Sequence, residues 1–126
     1  MPTKQSFGTF GEDIAAAHLE QHGYRVVVRN FRTRFGEVDL IAANERFLLF
    51  VEVKTRAVNA RVNAAEAVDA RKQARLRMAA EIYLQTGLEH SEATELHRRW
   101  PRFDVICIET AQNGQVASIR WIENAF

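Results

Sequence analysis

Residues 47–55 read Phe-Leu-Leu-Phe-Val-Glu-Val-Lys-Thr, an apolar run broken by charge at Glu52 and Lys54. A stretch this rich in aromatic and branched residues predicts a β-strand, and it is far too short for the roughly 20 apolar residues of a membrane helix. Residues 37–42 form a second strand, and the short turn at Asn44-Glu45 between them predicts a hairpin. Strand side chains alternate faces, so Phe47, Leu49, Val51 and Val53 share one side, and Leu48, Phe50, Glu52 and Lys54 the other. On the partner, Glu37, Asp39 and Ile41 are expected to oppose Val38, Leu40 and Ala42. Pairing with residue numbers summing to 89 sets Asp39 diagonal to Glu52; a sum of 91 sets them directly opposite. Either register gathers Asp39, Glu52 and Lys54 on one face.

Such a gathering is costly. Like charges facing each other destabilise a sheet, and a buried unpaired carboxylate costs several kcal/mol. A lysine, a divalent cation, or both would compensate, and carboxylate oxygens with open water positions suit Mg²⁺ or Mn²⁺. A further acid comes from the first helix, residues 8–22, where Glu12 shares a stripe with Ala15, Ala16 and Leu19. Taken alone, Glu12 reads as an acid in a first helical turn, favoured there by the helix dipole, as is Asp13. Beside the hairpin, it reads as a third ligand.

The remaining elements follow the same rules. Gly23 ends the first helix, and residues 24–30 form a strand around Val26, Val27 and Val28. Helical spacing of Val68, Leu76, Ala79, Ala80, Ile82 and Tyr83 predicts a long helix over 64–86, stopped by Gly87. Residues 89–99 suggest a short polar surface helix. Two strands, 103–109 and 115–122, flank the turn signal Asn113-Gly114. The order α-β-β-β-α-β-β gives an α/β fold, a mixed five-stranded sheet flanked by helices. At 126 residues, 47% hydrophobic and 26% charged, the chain is expected to be one domain spanning 1–126. With no apolar leader at the start and Cys107 as the only cysteine, a cytoplasmic protein without disulfide or membrane contact is expected.

The net charge of +1 predicts no partner, but its distribution is uneven. Arg25, Arg29, Arg32 and Arg34 fall in 24–35 without an acid, and Arg71, Lys72, Arg75 and Arg77 crowd a later segment. Fourteen of the seventeen basic residues are arginine, which suits bidentate phosphate contact or reflects a G- and C-rich genome. Arg29, Arg32 and Arg34 before the hairpin, with Arg56 and Arg61 after it, would form a phosphate-positioning rim that reads no bases. Residues 56–63 lack periodicity and read as a loop beside the site.

Asp39, twelve intervening residues and then Glu52-Val53-Lys54 resemble the PD-(D/E)xK motif of restriction-endonuclease-like nucleases, with Val38 in place of the proline. More closely, the chain resembles the YraN family of predicted endonuclease-like proteins, related to archaeal Holliday junction resolvases. The similarity rests on residues 8–16, 24–30, 36–42 and 50–56. It continues through Glu66-Ala67-Val68, Lys72-Gln73, residues 102–105 and the terminal 122–126, and so covers nearly the whole chain. The resemblance implies a restriction-endonuclease-like fold and a metal-dependent endonuclease cutting phosphodiester bonds in branched or otherwise structured DNA. Catalysis would fall to Asp39, Glu52 and Lys54. Glu12, Asp39, Glu52 and the Val53 carbonyl would hold Mg²⁺ or Mn²⁺. Lys72 would be an accessory nucleic-acid contact, and resolvase-like relatives imply a homodimer. Family members often carry glycine in the 56–63 loop; this chain has none there. The competing reading is a noncatalytic nucleic-acid-binding or partner-binding module that keeps the nuclease fold.

Other polar residues carry weaker patterns. His18 and His22 have a zinc-compatible spacing but no third ligand in view, and read as a helix-surface pair. His90 and His97 carry no pattern. Cys107 reads as core, and Gln73 as a solvated helix position. Asp104 is open between a structural carboxylate, a surface side chain and a site residue. Trp100 and Trp121 read as packing anchors.

Overall fold

The computed structural model describes residues 4–58, 68–87 and 98–126. Helix α1 (Lys4–Gln21) leads into strands β1 (Arg25–Arg32), β2 (Glu37–Ala43) and β3 (Phe47–Ala57). Helix α2 (Ala70–Gly87), β4 (Trp100–Thr110) and β5 (Val116–Ile122) follow. The sheet order is β1-β2-β3-β4-β5. Among the described residues only β3 and β4 pair in parallel, joined by the crossover that carries α2. The element order and α/β class match the sequence expectation.

Each helix covers one face. On the α1 side Ala15 and Leu19 pack against Leu40, Ala42, Leu49, Val51, Ile106 and Ile108. On the α2 side Leu76, Ala79 and Ala80 meet Val38, Ile41, Leu48, Phe50 and Val105. The split of β3 residues between these cores follows the expected alternation.

Helix α1 closes as expected. Tyr24 N–H donates to Leu19 O at 3.0 Å and Gly23 N–H to Glu20 O at 3.2 Å, with Gly23 at φ 88°. This is a Schellman cap, whose left-handed residue suits glycine. The start of α1 lies earlier than expected. Because the helix begins at Lys4, Glu12 and Asp13 sit well inside it, and no acid occupies its first turn. The dipole explanation for Glu12 therefore fails, since that effect fades beyond the terminal turn.

Helix α2, by contrast, starts late. Val68 and Asp69 are non-helical, and Asp69 Oδ1 accepts the Lys72 N–H at 2.9 Å, making Asp69 the N-cap. Apolar spacing had carried the expected helix across this cap. The expected positions 64–67, the polar segment 88–97 with His90 and His97, and Arg61 with the rest of 59–67 lie outside the described residues.

Strand β4 begins three residues earlier than expected, because Trp100 and Pro101 continue the parallel ladder opposite Phe47 and Leu48. Trp100 is no packing anchor: it is 73% exposed. Trp121 is one. Its indole N–H donates to Asp104 Oδ2 at 2.8 Å, and its ring meets His18, His22 and Tyr24 edge-on.

Candidate active site

Pairs Leu40↔Val51 to Ala43↔Leu48 fix the β2–β3 register at a sum of 91, the alternative that points Asp39 toward Glu52. The alternation expected along β2 does not hold throughout. Val38 joins the α2-side core with Phe31, whereas Leu40 joins the α1-side core. The two strands switch faces together between the pairs Phe31↔Val38 and Arg29↔Leu40. Between those pairs lie Asn30 and Asp39, and Asn30 adopts φ 53°. That left-handed residue, tolerated by asparagine, accounts for the reversal.

The reversal frees Asp39 from an ordinary strand position. Its Oδ2 accepts the Val53 N–H at 2.8 Å, just past the terminal β2–β3 pair Leu40↔Val51. A side chain thus replaces a ladder bond where the strands part. The N–H and C=O of one strand residue point to the same neighbour, so the Val53 carbonyl faces this seam too.

Glu52 is 5% exposed on the α2 side. Its Oε1 meets Lys72 Nζ at 2.6 Å and Lys54 Nζ at 3.3 Å. Lys72 therefore belongs to the site itself rather than to an outer rim. A cavity of about 90 Å³ lies against Glu52, lined also by Glu37, Lys72, Arg75 and Leu76.

Two glycines bring the helices close enough. A Cβ on Gly36 would lie 2.3 Å from the Arg75 carbonyl oxygen, so only glycine lets α2 settle on the β1–β2 turn. A Cβ on Gly11 would lie 2.3 Å from Thr55 Oγ1, where α1 crosses β3. Both contacts flank the site. Gly36 sits in the turn before β2 and Gly11 inside α1, and an isolated glycine inside a helical pattern is a signal of packing that the sequence offered.

Electrostatics record the crowding. Burial and the Glu52 charge push the Asp39 carboxyl up to about 7, with smaller contributions from Glu12 and Glu37 and opposition from the Val53 bond. Burial and the neighbouring Lys72 draw the Lys54 ammonium below the usual lysine value. Burial opposes the Lys72 charge too, but hydrogen bonds with Glu52 and Lys54 more than offset it and raise its pKa.

The other expected site residues are spread around this centre. Glu12 Oε2 accepts from Asn30 Nδ2 at 3.0 Å, on the chain reversal that positions Asp39. The sequence carried no signal for Asn30. Among the described residues, no three or more His, Cys, Asp and Glu side chains are grouped to hold a metal ion. The close assembly is two acids and two lysines, not three acids. Much of the arginine rim is neutralised by acids of the chain. Arg29 pairs with Asp13, Arg32 Nε lies 3.5 Å from Glu37, and Arg56 Nη2 lies 3.8 Å from Glu109. The Arg34 guanidinium lies over the exposed Phe35 ring.

Asp104 is structural: fully buried, it accepts from Arg102 Nε and Nη2, Trp121 Nε1 and Asn124 N–H, each at 2.8–2.9 Å. His18 and His22 form a ring pair 4.4 Å apart, with His22 Nδ1 bonded to His18 O. Gln73 turns back to donate to Val68 O at 2.9 Å rather than standing in solvent. Cys107 is buried as expected, and burial raises its thiol pKa. Among the described residues, no helix is long and apolar enough to cross a membrane.

Comparison with known proteins adds a family. The model of the family described as "Uncharacterised protein family UPF0102" matches residues 11–108, a span containing every residue of this site. The UPF0102 protein of Frankia casuarinae is 41% identical over 126 residues, covering 100% of both chains. That of Syntrophotalea carbinolica is 40% identical over 121 residues, 96% of this chain and 91% of its own. That of Stutzerimonas stutzeri is 38% identical over 130 residues, 100% of this chain and 98% of its own. With matches running essentially end to end, the chain belongs to the UPF0102 (YraN) family.

Proposed function

We propose that this protein is a Mg²⁺- or Mn²⁺-dependent endonuclease of the restriction-endonuclease-like superfamily, hydrolysing phosphodiester bonds in branched or otherwise structured DNA. The observation carrying this reading is the seam where β2 and β3 part. There the partly buried Asp39 and the buried Glu52 face each other, and Asp39 is pushed up to about 7. Among the described residues Asp39 accepts one backbone N–H, and two ammonium groups share Glu52 Oε1. Hard oxygen donors with positive charge already drawn among them fit a divalent ion of the Mg²⁺ type, which is commonly held by one or two carboxylates plus substrate phosphate. Asp39, Glu52 and the Val53 carbonyl would hold it, with Glu12 acting at longer range. Such an ion supplies charge that polarises a phosphoryl oxygen and acidifies a bound water.

The chain's own groups do the rest. Lys54 donates hydrogen bonds that orient the attacking water and meet charge developing on phosphorus oxygens. Lys72, released from Glu52, turns its charge to the substrate backbone. Arg34 and the rim arginines position the strand through phosphates without reading bases.

Cleavage of junction, flap and single-stranded DNA in Mn²⁺ tests this reading. Wild type is expected to cut, and Asp39→Ala and Glu52→Ala to lose cutting. Cleavage surviving both substitutions would contradict it. One observation favours the noncatalytic alternative: no three-acid group occurs among the described residues. That reading expects salt-sensitive DNA binding, weakened by Arg32→Ala and Arg34→Ala but unharmed by Glu52→Ala.

A further inference from the structure

Glu52 Oε1, an oxygen that a metal ion at the seam would need, is already held by an ammonium group. Lys72 Nζ lies 2.6 Å from it and Lys54 Nζ 3.3 Å. Asp39 and Glu52 carry at most two negative charges and the two lysines carry two positive ones, so the four groups balance before any metal enters. A divalent ion arriving beside both lysines would leave positive charge uncompensated in a partly buried place, which is costly. Metal therefore enters favourably only if a lysine leaves or anions arrive.

The two lysines differ in how easily they can leave. Lys54 belongs to β3, two residues along from Glu52 on the same face. Lys72 reaches in from α2, its side chain is 39% exposed, and an ammonium group on a four-carbon stem swings readily. It lines the cavity against Glu52 together with Arg75.

Positive charge without a partner lies next to it. Arg71 and Arg75 stand one turn apart on α2, exposed, and neither makes an ion pair among the described residues. Arg77, by contrast, packs its guanidinium over the rings of Phe103 and Phe126. Arg71 and Lys72 also fall in the first turn of α2, which holds no acid; Asp69 caps it from just outside. Cations oppose the helix dipole at that end, where anions are favoured. A phosphodiester backbone laid along residues 71–75 would meet both arginines and offer Lys72 a phosphate in exchange for Glu52.

We infer that Lys72 is a displaceable counter-ion that couples the two ligands of the site: it occupies the cation position at Glu52 in the free protein and moves to a DNA phosphate beside Arg71 and Arg75, so that metal and DNA bind cooperatively. The inference deepens the nuclease reading and rests on it for both ligands. Coupling of this kind is reciprocal. DNA that removes Lys72 tightens metal binding, and metal that expels Lys72 tightens DNA binding by the same factor. The free protein holds metal weakly, and the complete centre assembles on DNA.

Two separate titrations of the full chain test this without any cleavage. Mn²⁺ is titrated by calorimetry at pH 8 without DNA, and a fluorescein-labelled four-way junction by anisotropy in EDTA. Lys72→Gln keeps a hydrogen-bond donor near Glu52 but drops the charge. It should tighten Mn²⁺ about fivefold or more. It should weaken junction binding about threefold to tenfold and lower the salt slope by about 1. Opposite signs are the signature, because a merely structural role would weaken both or neither. Lys72→Met, which keeps the apolar stem, should give the same two signs, and Lys72→Arg should keep junction binding near wild type. Arg71→Ala should weaken the junction and leave Mn²⁺ affinity unchanged. Circular dichroism checks that each variant folds. Mn²⁺ affinity unchanged or weaker in both charge-removing variants, or junction binding untouched by them, overturns the inference and leaves the metal seat at Asp39 and Glu52 standing. No Mn²⁺ heat in any of these proteins overturns the nuclease reading and this inference with it.

Discussion

Asp104 and the Asp39–Glu52 pair sit on neighbouring strands, with Asp104 directly beside Val51 in the parallel ladder. Asp104 is furnished with donors for stability, and Asp39 is not. Asp104 is fully buried and accepts four hydrogen bonds, two from the guanidinium of Arg102, which also lies over the rings of Phe47 and Tyr24. Among the described residues Asp39 accepts one backbone N–H while facing the charge of Glu52. Burial alone therefore does not mark a functional acid. The difference lies in the supply of donors to Asp39 among the described residues, and an acid left short of them is where an external cation or substrate has something to add.

Removing each acid should separate the two regions most sharply. Asp104→Ala leaves the Arg102 charge largely buried without its main partner and should cost about 3–5 kcal/mol in urea unfolding. A loss below about 1 kcal/mol would erase the contrast.

Asp39→Asn should act in the opposite direction. The Asp39 carboxyl rises from an ordinary 3.8 to about 7 in the fold, so the folded chain holds a proton that the unfolded chain releases. Its contribution is fully present below 3.8 and is lost as pH rises to about 7. Without divalent metal, wild type should therefore lose stability across that window, by no more than about 4 kcal/mol. Asparagine keeps the acceptor for Val53 N–H and should flatten this slope, making the variant the more stable protein at pH 8. Equal slopes in paired unfolding curves would show that Asp39 is not held protonated.

Gly36→Ala probes the wall rather than the acids. The clash with Arg75 backbone should cost roughly 1–3 kcal/mol and push α2, with Lys72, away from Glu52. Thermal unfolding gives the first effect, and weakened Mn²⁺-dependent cleavage the second. Arg32→Ala should do least. Its pairing with Glu37 is solvent-exposed, so stability should shift by under about 1 kcal/mol in the same unfolding assay.

What the sequence disclosed follows the reach of local rules. Strict alternation along β3 placed Glu52 and Lys54 on one face, and the short turn at Asn44-Glu45 limited the register to two choices. The face reversal at Val38 was hidden because it depends on the backbone of Asn30 in a neighbouring strand. Lys72 was recognised as a contact, but its place on Glu52 is set by the Asp69 cap and by the glycine contact at Arg75. The donors to Asp104 come from residues as distant as Trp121 and Asn124, and no local pattern announces them. An expected helix start at residue 8 puts Glu12 in a first turn, whereas the helix begins at Lys4. Its link to Asp39 runs through Asn30, and only the folded chain brings those residues together.

The claim that the Asp39–Glu52 seam seats a divalent cation is tested most directly by calorimetric titration of the full chain with Mn²⁺ at pH 8. The account predicts a saturable heat in wild type that Asp39→Asn abolishes while remaining folded. No heat in wild type, or the same heat in both proteins, would contradict it.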